Sequence, residues 1–564
     1  MATWWQDAVV YQIYPKSFKD GNGDGIGDFK GMIDRLDYLA ALGATVLWLN
    51  PVFQSPQVDN GYDVSDYYAI DPIFGTADDF RTLVAEVKKR DMRLILDLVM
   101  NHTSDQHPWF VASRASRSNR YRDYYIWRDG KNGREPTNWG SFFGGSAWQF
   151  DRQTGQYYFH LFDQRMPDLN WENPDVRAAF EQIGSYWLER GVDGFRLDAF
   201  IHLDKDRRFL DVSGETPDHP YPIAEACYAN RPRVHRYIRD FARRMRRVRP
   251  DCLLIGEASS ADQRLARLYS DPARGECDCV ISFRPLETER TPLERRIGNE
   301  WLPERLNVDT FKQTMADWQQ ELSGHGCFAL YWNNHDMPRF LSRFGQEHDY
   351  RRESATMLAT LMYLQQGLPI IFQGEELGMI NLRLDSVGAY QDRGTDAFAR
   401  LAAELGWSPQ TILKAVQSHS KITSRGAMQW TNARHAGFST HRPWLGVNGG
   451  DGAFNAAAEM IDGDSILAYY KALIRLRRTQ RVFTQGSWRL IDGTGEHCYG
   501  YRRTLERVTA WVLCHLGRVP HSVSFPEGSS ARCVLGNYQD AQFDGHTLVL
   551  RPFEAVVYLH VKRI

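Results

Sequence analysis

Between Val9 and Phe372 the chain repeats one unit, a short apolar run followed by a helical stretch, and no other feature restricts its fold as tightly. The runs occupy residues 9–14, 45–50, 93–100, 194–197, 253–256, 278–283, 328–332 and 368–372. Most are continuous rather than alternating, which is how a strand reads when helices cover both faces of its sheet. Helical patterns over 29–42, 77–90, 174–190 and 235–248 lie between them. Eight such strands with intervening helices predict an α/β fold, a parallel (β/α)8 TIM barrel.

Two intervals depart from the repeat. Residues 101–173, after the third run, are too long for a strand-to-helix loop and are rich in Gly, Asp, Trp and Tyr. An insertion of that size is a small domain or a lid. A polar, helix-like stretch follows the eighth run to about Trp444, then a Gly/Asn-rich link at 447–455 and a helix at 466–478. From 481 the pattern changes to short alternating strands at 488–490, 498–502, 510–513, 547–550 and 555–558. The expected organisation is a barrel over 1–101 and 174–480, an inserted domain over 102–173 and a C-terminal antiparallel β-sandwich over 481–564.

Lys and Arg number 68 against 70 Asp and Glu, a net charge of −2, so no nucleic acid and no anionic membrane is expected as a partner held by bulk charge. Eight cysteines without a Cys-x-x-Cys pair indicate neither a disulfide framework nor a thiolate zinc site. Cys277 and Cys279 read as alternation along a strand. The first residues lack the basic start and apolar run of a signal peptide, and no transmembrane segment is expected. The expectation is a cytoplasmic protein, monomer or weak homo-oligomer.

In such a barrel, chemistry sits where the strands end at their C-terminal face. The third run ends in Asp97-Leu98-Val99-Met100-Asn101-His102, the fourth in Arg196-Leu197-Asp198, the fifth in Gly256-Glu257 and the seventh in Asn334-His335-Asp336. Three carboxylates, Asp198, Glu257 and Asp336, therefore leave three strands at one end. Two carboxylates about 5 Å apart are what a retaining glycosidase uses, one as nucleophile and one as acid and then base. A third can balance the positive charge that develops on the sugar. Arg196 is expected to keep Asp198 ionised, because a nearby cation lowers a carboxyl pKa. The general acid must be held protonated by burial and by like charges beside it.

These segments, in this order, resemble the signature regions of the α-amylase family, glycoside hydrolase family thirteen. The resemblance covers the barrel, an inserted domain B and a C-terminal β domain. It implies Asp198 as nucleophile, Glu257 as acid/base and Asp336 as transition-state stabiliser. Arg196, His102 and His335 would hold the sugar in the first subsite, and Asp97 would support the arginine. Asp59-Asn60-Gly61-Tyr62-Asp63 resembles the segment whose Asp and Tyr grip the terminal glucose in exo-acting members, and Arg425 matches the arginine that pairs with that Asp. Such a pair closes the pocket behind the non-reducing end, which disfavours an endo-acting amylase. Gly426-Ala427 stand where relatives usually carry Thr-Pro. Met166-Pro167-Asp168-Leu169-Asn170 resembles the domain B signature of the exo-acting group.

The implied activity is an exo-acting retaining α-glucosidase acting on short oligosaccharides, with some transglucosylation and no organic cofactor. Ala199, after the nucleophile, goes with α-1,4 linkages in similar enzymes. Gly145-Ser146-Ala147-Trp148 and Gly155-Gln156-Tyr157-Tyr158 instead resemble dextran glucosidases (α-1,6) and trehalose-6-phosphate hydrolases. Both remain alternatives. Residues 287–296 lack the charged loop of the sucrose isomerases in this group, so isomerisation is not expected. A catalytically inactive barrel acting as a binding partner is a further alternative, set against by the complete acidic set.

Asp20, Asn22, Asp24, Ile26 and Asp28 place oxygen donors at every second position of a glycine-rich loop, the Ile26 donor being its backbone carbonyl. That spacing suits a wrapped hard cation, and relatives carry a structural Ca2+ or Mg2+ there.

Overall fold

The computed structural model describes residues 4–214, 220–287, 289–290, 301, 304–448, 454–524, 531–540, 542–543 and 546–562. Eight parallel strands form the central sheet: β1 (Val10–Ile13), β2 (Val46–Leu49), β3 (Arg93–Val99), β4 (Gly194–Asp198), β5 (Leu253–Glu257), β6 (Cys279–Ile281), β7 (Ala329–Leu330) and β8 (Leu368–Phe372). Their order is β6-β5-β4-β3-β2-β1-β8-β7, and a parallel bridge between Val280 and Phe328 joins β6 to β7. The circle closes as a (β/α)8 barrel. Strands β1, β2, β4 and β8 are buried along their whole length, the physical reason β2 and β8 read as unbroken apolar runs, whereas β4 alternates Phe195 and Leu197 with Arg196 and Asp198.

Most helices fall where the periodicity places them, over Ala77–Lys89, Pro174–Glu189 and Pro232–Val248. The pattern over 29–42 is corrected: it forms two helices, Phe29–Ile33 and Leu36–Leu42. The chain turns between them, and the Arg35 guanidinium lies 4.8 Å over the Trp430 ring. The polar stretch after β8 contains two helices, Arg393–Glu404 and Pro409–His419. Cys277 lies just before β6 rather than on it.

Within the insertion, Trp127–Arg128, Gln156–Phe159 and Trp148–Asp151 pair in that order as a small antiparallel sheet, packed around buried Trp127, Trp139, Trp148 and Phe159. After a helix at Arg481–Gln485, the C-terminal strands make two sheets, of five and three strands. Cys498, Trp511, Val556 and Tyr558 from the larger sheet share a core with Val523, Leu548 and Leu550 from the smaller. The alternate residues of the larger sheet, among them Tyr499, Tyr501, Val512 and Val557, join the barrel core instead. A two-sided sheet of this kind explains why its strands alternate yet are apolar on both faces. Strands His521–Ser524 and Gln542–Phe543 escape the pattern because they are short and largely polar; Arg532–Gly536 escapes it because Cys533, Val534 and Leu535 run together without alternation. Among the described residues, no helix is long and apolar enough to cross a membrane.

Candidate active site

Strand register brings the charged residues together. Asp97 of β3 pairs with Arg196 of β4, and Arg196 pairs with Ile255 of β5. Two residues on, Val99 pairs with Asp198, and continuing the β4–β5 register sets Glu257 level with it. Because side chains alternate along a strand, Arg196 and Asp198 face the same side. Gly256 makes room below: a Cβ there would stand 2.6 Å from the Phe200 ring and 2.7 Å from the Cys277 sulfur.

One guanidinium serves three carboxylates. Arg196 Nη1 donates to Asp97 Oδ1 at 2.5 Å and to Asp198 Oδ1 at 2.6 Å, and Nη2 donates to Glu257 Oε2. Since Asp198 and Glu257 bond neighbouring nitrogens of one planar group, their nearest oxygens lie no more than about 8 Å apart. That bound admits the retaining separation. With three negative groups around one cation, not all can ionise freely. Burial raises the pKa of Asp97, of Asp198 and of Glu257, and neighbouring carboxylates add to it for Asp198 and Glu257, while Arg196 pulls each down. The expectation that Arg196 keeps Asp198 ionised meets an opposing effect: burial outweighs the arginine, and Asp198 rises well above the usual carboxylate range.

Asp336 behaves oppositely. Burial pushes it up, but the His335 ring, its Nε2 3.1 Å from Oδ2, and the positive charges of Lys421 and Arg425 more than offset this and hold it below the usual range. Arg425 Nη2 donates to Asp336 Oδ1 at 2.9 Å and its Nε donates to the His335 carbonyl at 2.7 Å. The site thus contains one carboxylate fixed as an anion and a group of three sharing a deficit of positive charge.

Of the sugar-binding candidates, Asp59, Tyr62, His102 and Arg425 line one cavity of about 290 Å3 with Asp198, Glu257 and Asp336, whereas Arg196 and His335 are not on its wall. Tyr62 stacks on His335, ring centroids 5.4 Å apart and planes 6° from parallel. His102 is buried, held neutral by that burial with its pKa lowered to about 4, and its Nε2 has no hydrogen-bond partner, which leaves it for a ligand hydroxyl. The Asp59–Arg425 pairing is corrected: Asp59 stands 3.9 Å from Lys421, and Arg425 is engaged by Asp336. Lys421 reaches Asp59 because it begins the short helix Lys421–Arg425, a segment without strand or helix periodicity. Phe142, Phe143, Phe162, His202 and Phe283 also line the cavity. None stands in one of the strand-end or loop motifs, and they meet only because the fold brings their segments to one wall.

Away from this pocket, Asp20 and Asp28 close the glycine-rich loop on itself. Asp20 accepts from the amides of Asn22, Gly23 and Gly25, and Asp28 from those of Gly21, Asn22 and Gly31. Asn22 Oδ1 accepts from the Asp24 amide, and Asp24 Oδ1 from the Ile26 amide. Among the described residues, no group of three or more His, Cys, Asp or Glu is arranged to hold a metal. A cation in this loop would draw on Asn22 and the Ile26 carbonyl beside its acidic groups, a donor set entirely of oxygen and suited to Ca2+ or Mg2+. Residues 291–296, within the loop compared with the sucrose isomerases, lie outside the described residues.

Comparison with known proteins agrees with this arrangement. A family model described as alpha amylase, catalytic domain, matches residues 12–486. Oligo-1,6-glucosidase from Parageobacillus thermoglucosidasius is 42% identical over 98% of both chains. Alpha-glucosidase from Pediococcus pentosaceus is 40% identical, again over 98% of both. The crystal structure of trehalose-6-phosphate hydrolase from Bacillus licheniformis superposes with a TM-score of 0.94 at 38% identity, covering all of both chains.

Proposed function

The chain belongs to the alpha-amylase family, and from that premise we propose that it is a glycoside hydrolase, an exo-acting retaining α-glucosidase that releases glucose from the non-reducing end of short α-glucosides. The observation that carries this reading is the sharing of Arg196 by Asp198 and Glu257 at the wall of one small cavity. Glu257, kept toward its protonated form, gives its proton to the glycosidic oxygen. Asp198 attacks the anomeric carbon, the bond to the leaving sugar breaks, and a covalent glucosyl ester forms. The sugar puts a developing positive charge next to Asp198, which favours its anion at the moment of attack. Asp336, already ionised, faces the same charge. Glu257 then takes a proton from water, which displaces Asp198 and releases α-glucose. A sugar hydroxyl in place of that water gives transglucosylation.

The second cavity, of about 350 Å3, shares Phe142, Phe143, Asp336 and Lys421 with the first and adds Trp301, Asp392 and Phe398. Its position suits the leaving sugar. Trp301 and Phe398 stack flat, 4.3 Å between centroids, the kind of apolar wall that neutral sugars contact. Lys421 is already claimed by Asp59 and Asp392, which raise its pKa against burial. The basic residues of this chamber's described lining are Lys421, so engaged, and His419, with no arginine or second lysine to pair with a phosphate, which sets the trehalose-6-phosphate reading below that of neutral glucosides. Ala199, on the cavity wall, has a left-handed backbone (φ 45°). A small side chain in that conformation leaves space at the reaction centre and favours α-1,4 over α-1,6 linkages, by a factor of about 10–200 if one methyl group decides it.

Relative rates on maltose, isomaltose, panose, sucrose, kojibiose and trehalose-6-phosphate test this reading. We expect maltose to be cleaved fastest and trehalose-6-phosphate slowest. Preferred cleavage of the phosphorylated sugar, or of starch into long fragments, would replace it.

We also propose that the 20–28 loop holds a structural Ca2+ or Mg2+ through Asp20, Asn22, Asp24, the Ile26 carbonyl and Asp28. The reading is supported by an all-oxygen set at alternate positions. A chelator is expected to lower the melting temperature and added Ca2+ to restore it; a melting temperature that ignores both counts against the ion.

A further inference from the structure

Beneath the pocket lies a buried polar network that the mechanism above does not use. Gln12, on β1, is fully buried. Its amide nitrogen donates to Asn50 Oδ1 at 3.0 Å and approaches His335 Nδ1 at 2.9 Å. Asn50, in turn, donates through Nδ2 to Tyr62 Oη at 2.9 Å and to Asp97 Oδ2 at 3.2 Å. Tyr62 Oη also lies 3.0 Å from Asp97 Oδ2 and 2.6 Å from His335 Nε2, and that nitrogen is 3.1 Å from Asp336 Oδ2.

With the Asp97 carboxylate ionised against Arg196, one assignment of protons satisfies these contacts. Asp97 accepts from Asn50, so the Asn50 amide nitrogen must face it and the Asn50 oxygen must face Gln12. Gln12 then has to present its nitrogen, because turning the amide would set oxygen against oxygen. The Gln12 N–H points at His335 Nδ1, which must therefore accept. Burial lowers the His335 pKa well below its ordinary value, so the ring is neutral. Its single proton is left on Nε2, between Tyr62 Oη and Asp336. Tyr62, accepting from Asn50 and His335, spends its own proton on Asp97. The arrangement leaves Gln12 Oε1 buried without a partner. An orphan of this kind is costly, and a methionine of similar shape would fill the space without it.

We propose that Gln12 is a positioning residue that locks His335 as the neutral Nε2–H tautomer, so that Tyr62 and Asp336, both on the pocket wall, meet a fixed donor behind them. The inference concerns the pocket read above as a glucosidase site and rests on that reading. It adds that the placing of Tyr62 and Asp336 at the sugar depends, through His335, on a residue one layer below, out of reach of the substrate. A wrong tautomer would set a ring lone pair against the Asp336 carboxylate, the kind of error that costs rate without disturbing the fold.

The test uses the full chain, with Gln12→Glu and Gln12→Met. The Glu carboxylate accepts from Nδ1–H and reverses the tautomer; Met withdraws the constraint. We expect kcat/KM on maltose to fall about 10–100-fold in Gln12→Glu and about 3–10-fold in Gln12→Met, the size of the loss when one hydrogen bond that positions a substrate-contacting group is withdrawn. Gln12→Glu should regain activity as pH falls, because protonating the ring returns a proton to Nε2. In 15N-histidine-labelled wild-type protein, the His335 signal, identified by its loss in His335→Ala, should show protonated Nε2 and bare Nδ1. A wild-type signal with protonated Nδ1 overturns the proposal, whether or not the variants fold. So does a wild-type pH profile and kcat/KM in Gln12→Met accompanied only by a change in melting temperature. Absence of glucosidase activity in the wild type would instead remove the functional reading and leave the tautomer result standing.

Discussion

Asp198→Asn is expected to lower kcat on maltose by roughly 10,000-fold or more while leaving the protein folded. The amide keeps the shape of the carboxylate but cannot form the glucosyl ester. Its effect on stability should be opposite in sign to its effect on rate. Burial and neighbouring charges raise the Asp198 pKa above its unfolded value. For an acid this means the ionised form is disfavoured in the fold, a cost that appears as pH rises through the folded-state pKa. Asparagine never ionises and escapes it. The melting temperature at pH 7 should therefore equal or exceed that of the wild type, and a measured fall would show that Asp198 is bound more favourably as an anion than the ligand-free site indicates.

Arg196→Met should be the most damaging single change in both respects. Asp97, Asp198 and Glu257 all bond this guanidinium, and its side chain is almost entirely buried. Removing one partner of a buried charged cluster costs about 3–5 kcal/mol, because the carboxylates left behind have neither water nor a counter-ion. Without the arginine, their pKa values rise further above the unfolded ones. The loss is then largest where they would be ionised and shrinks as pH falls and they take up protons. Melting temperatures of the variant and the wild type should converge between about pH 7 and pH 5. A difference that stays constant with pH would mean that the arginine acts by packing alone. Activity should be lost at every pH, since Asp198 and Glu257 lose their common anchor.

The parts of the fold that were legible in the sequence are those whose signal is local. Strands β1 to β5 and β8 stand out because each is a largely apolar run covered on both sides. Strand β7 reduces to Ala329–Leu330, although the run around it is longer, because the chain soon leaves the barrel toward Asn333 and His335. The break after Ile33 was hidden, since apolar residues continue at helical spacing on both sides of it. For the site, the strand-end carboxylates were readable, as strand ends in a barrel share one face. Pairings between loops were not. Asp59 and Lys421 lie far apart in sequence, and nothing in either segment signals that Lys421 intervenes before Arg425. Gln12 carried no signal at all, being one polar residue inside an apolar strand, and only the network around it assigns it a task.

The claim on which the account depends is that Asp198 and Glu257 work on opposite faces of one anomeric carbon in two successive displacements. Proton NMR of the sugar released in the first moments of hydrolysis, before mutarotation, tests it most directly. The account predicts that α-glucose appears first and relaxes to the equilibrium mixture; initial release of β-glucose would contradict it.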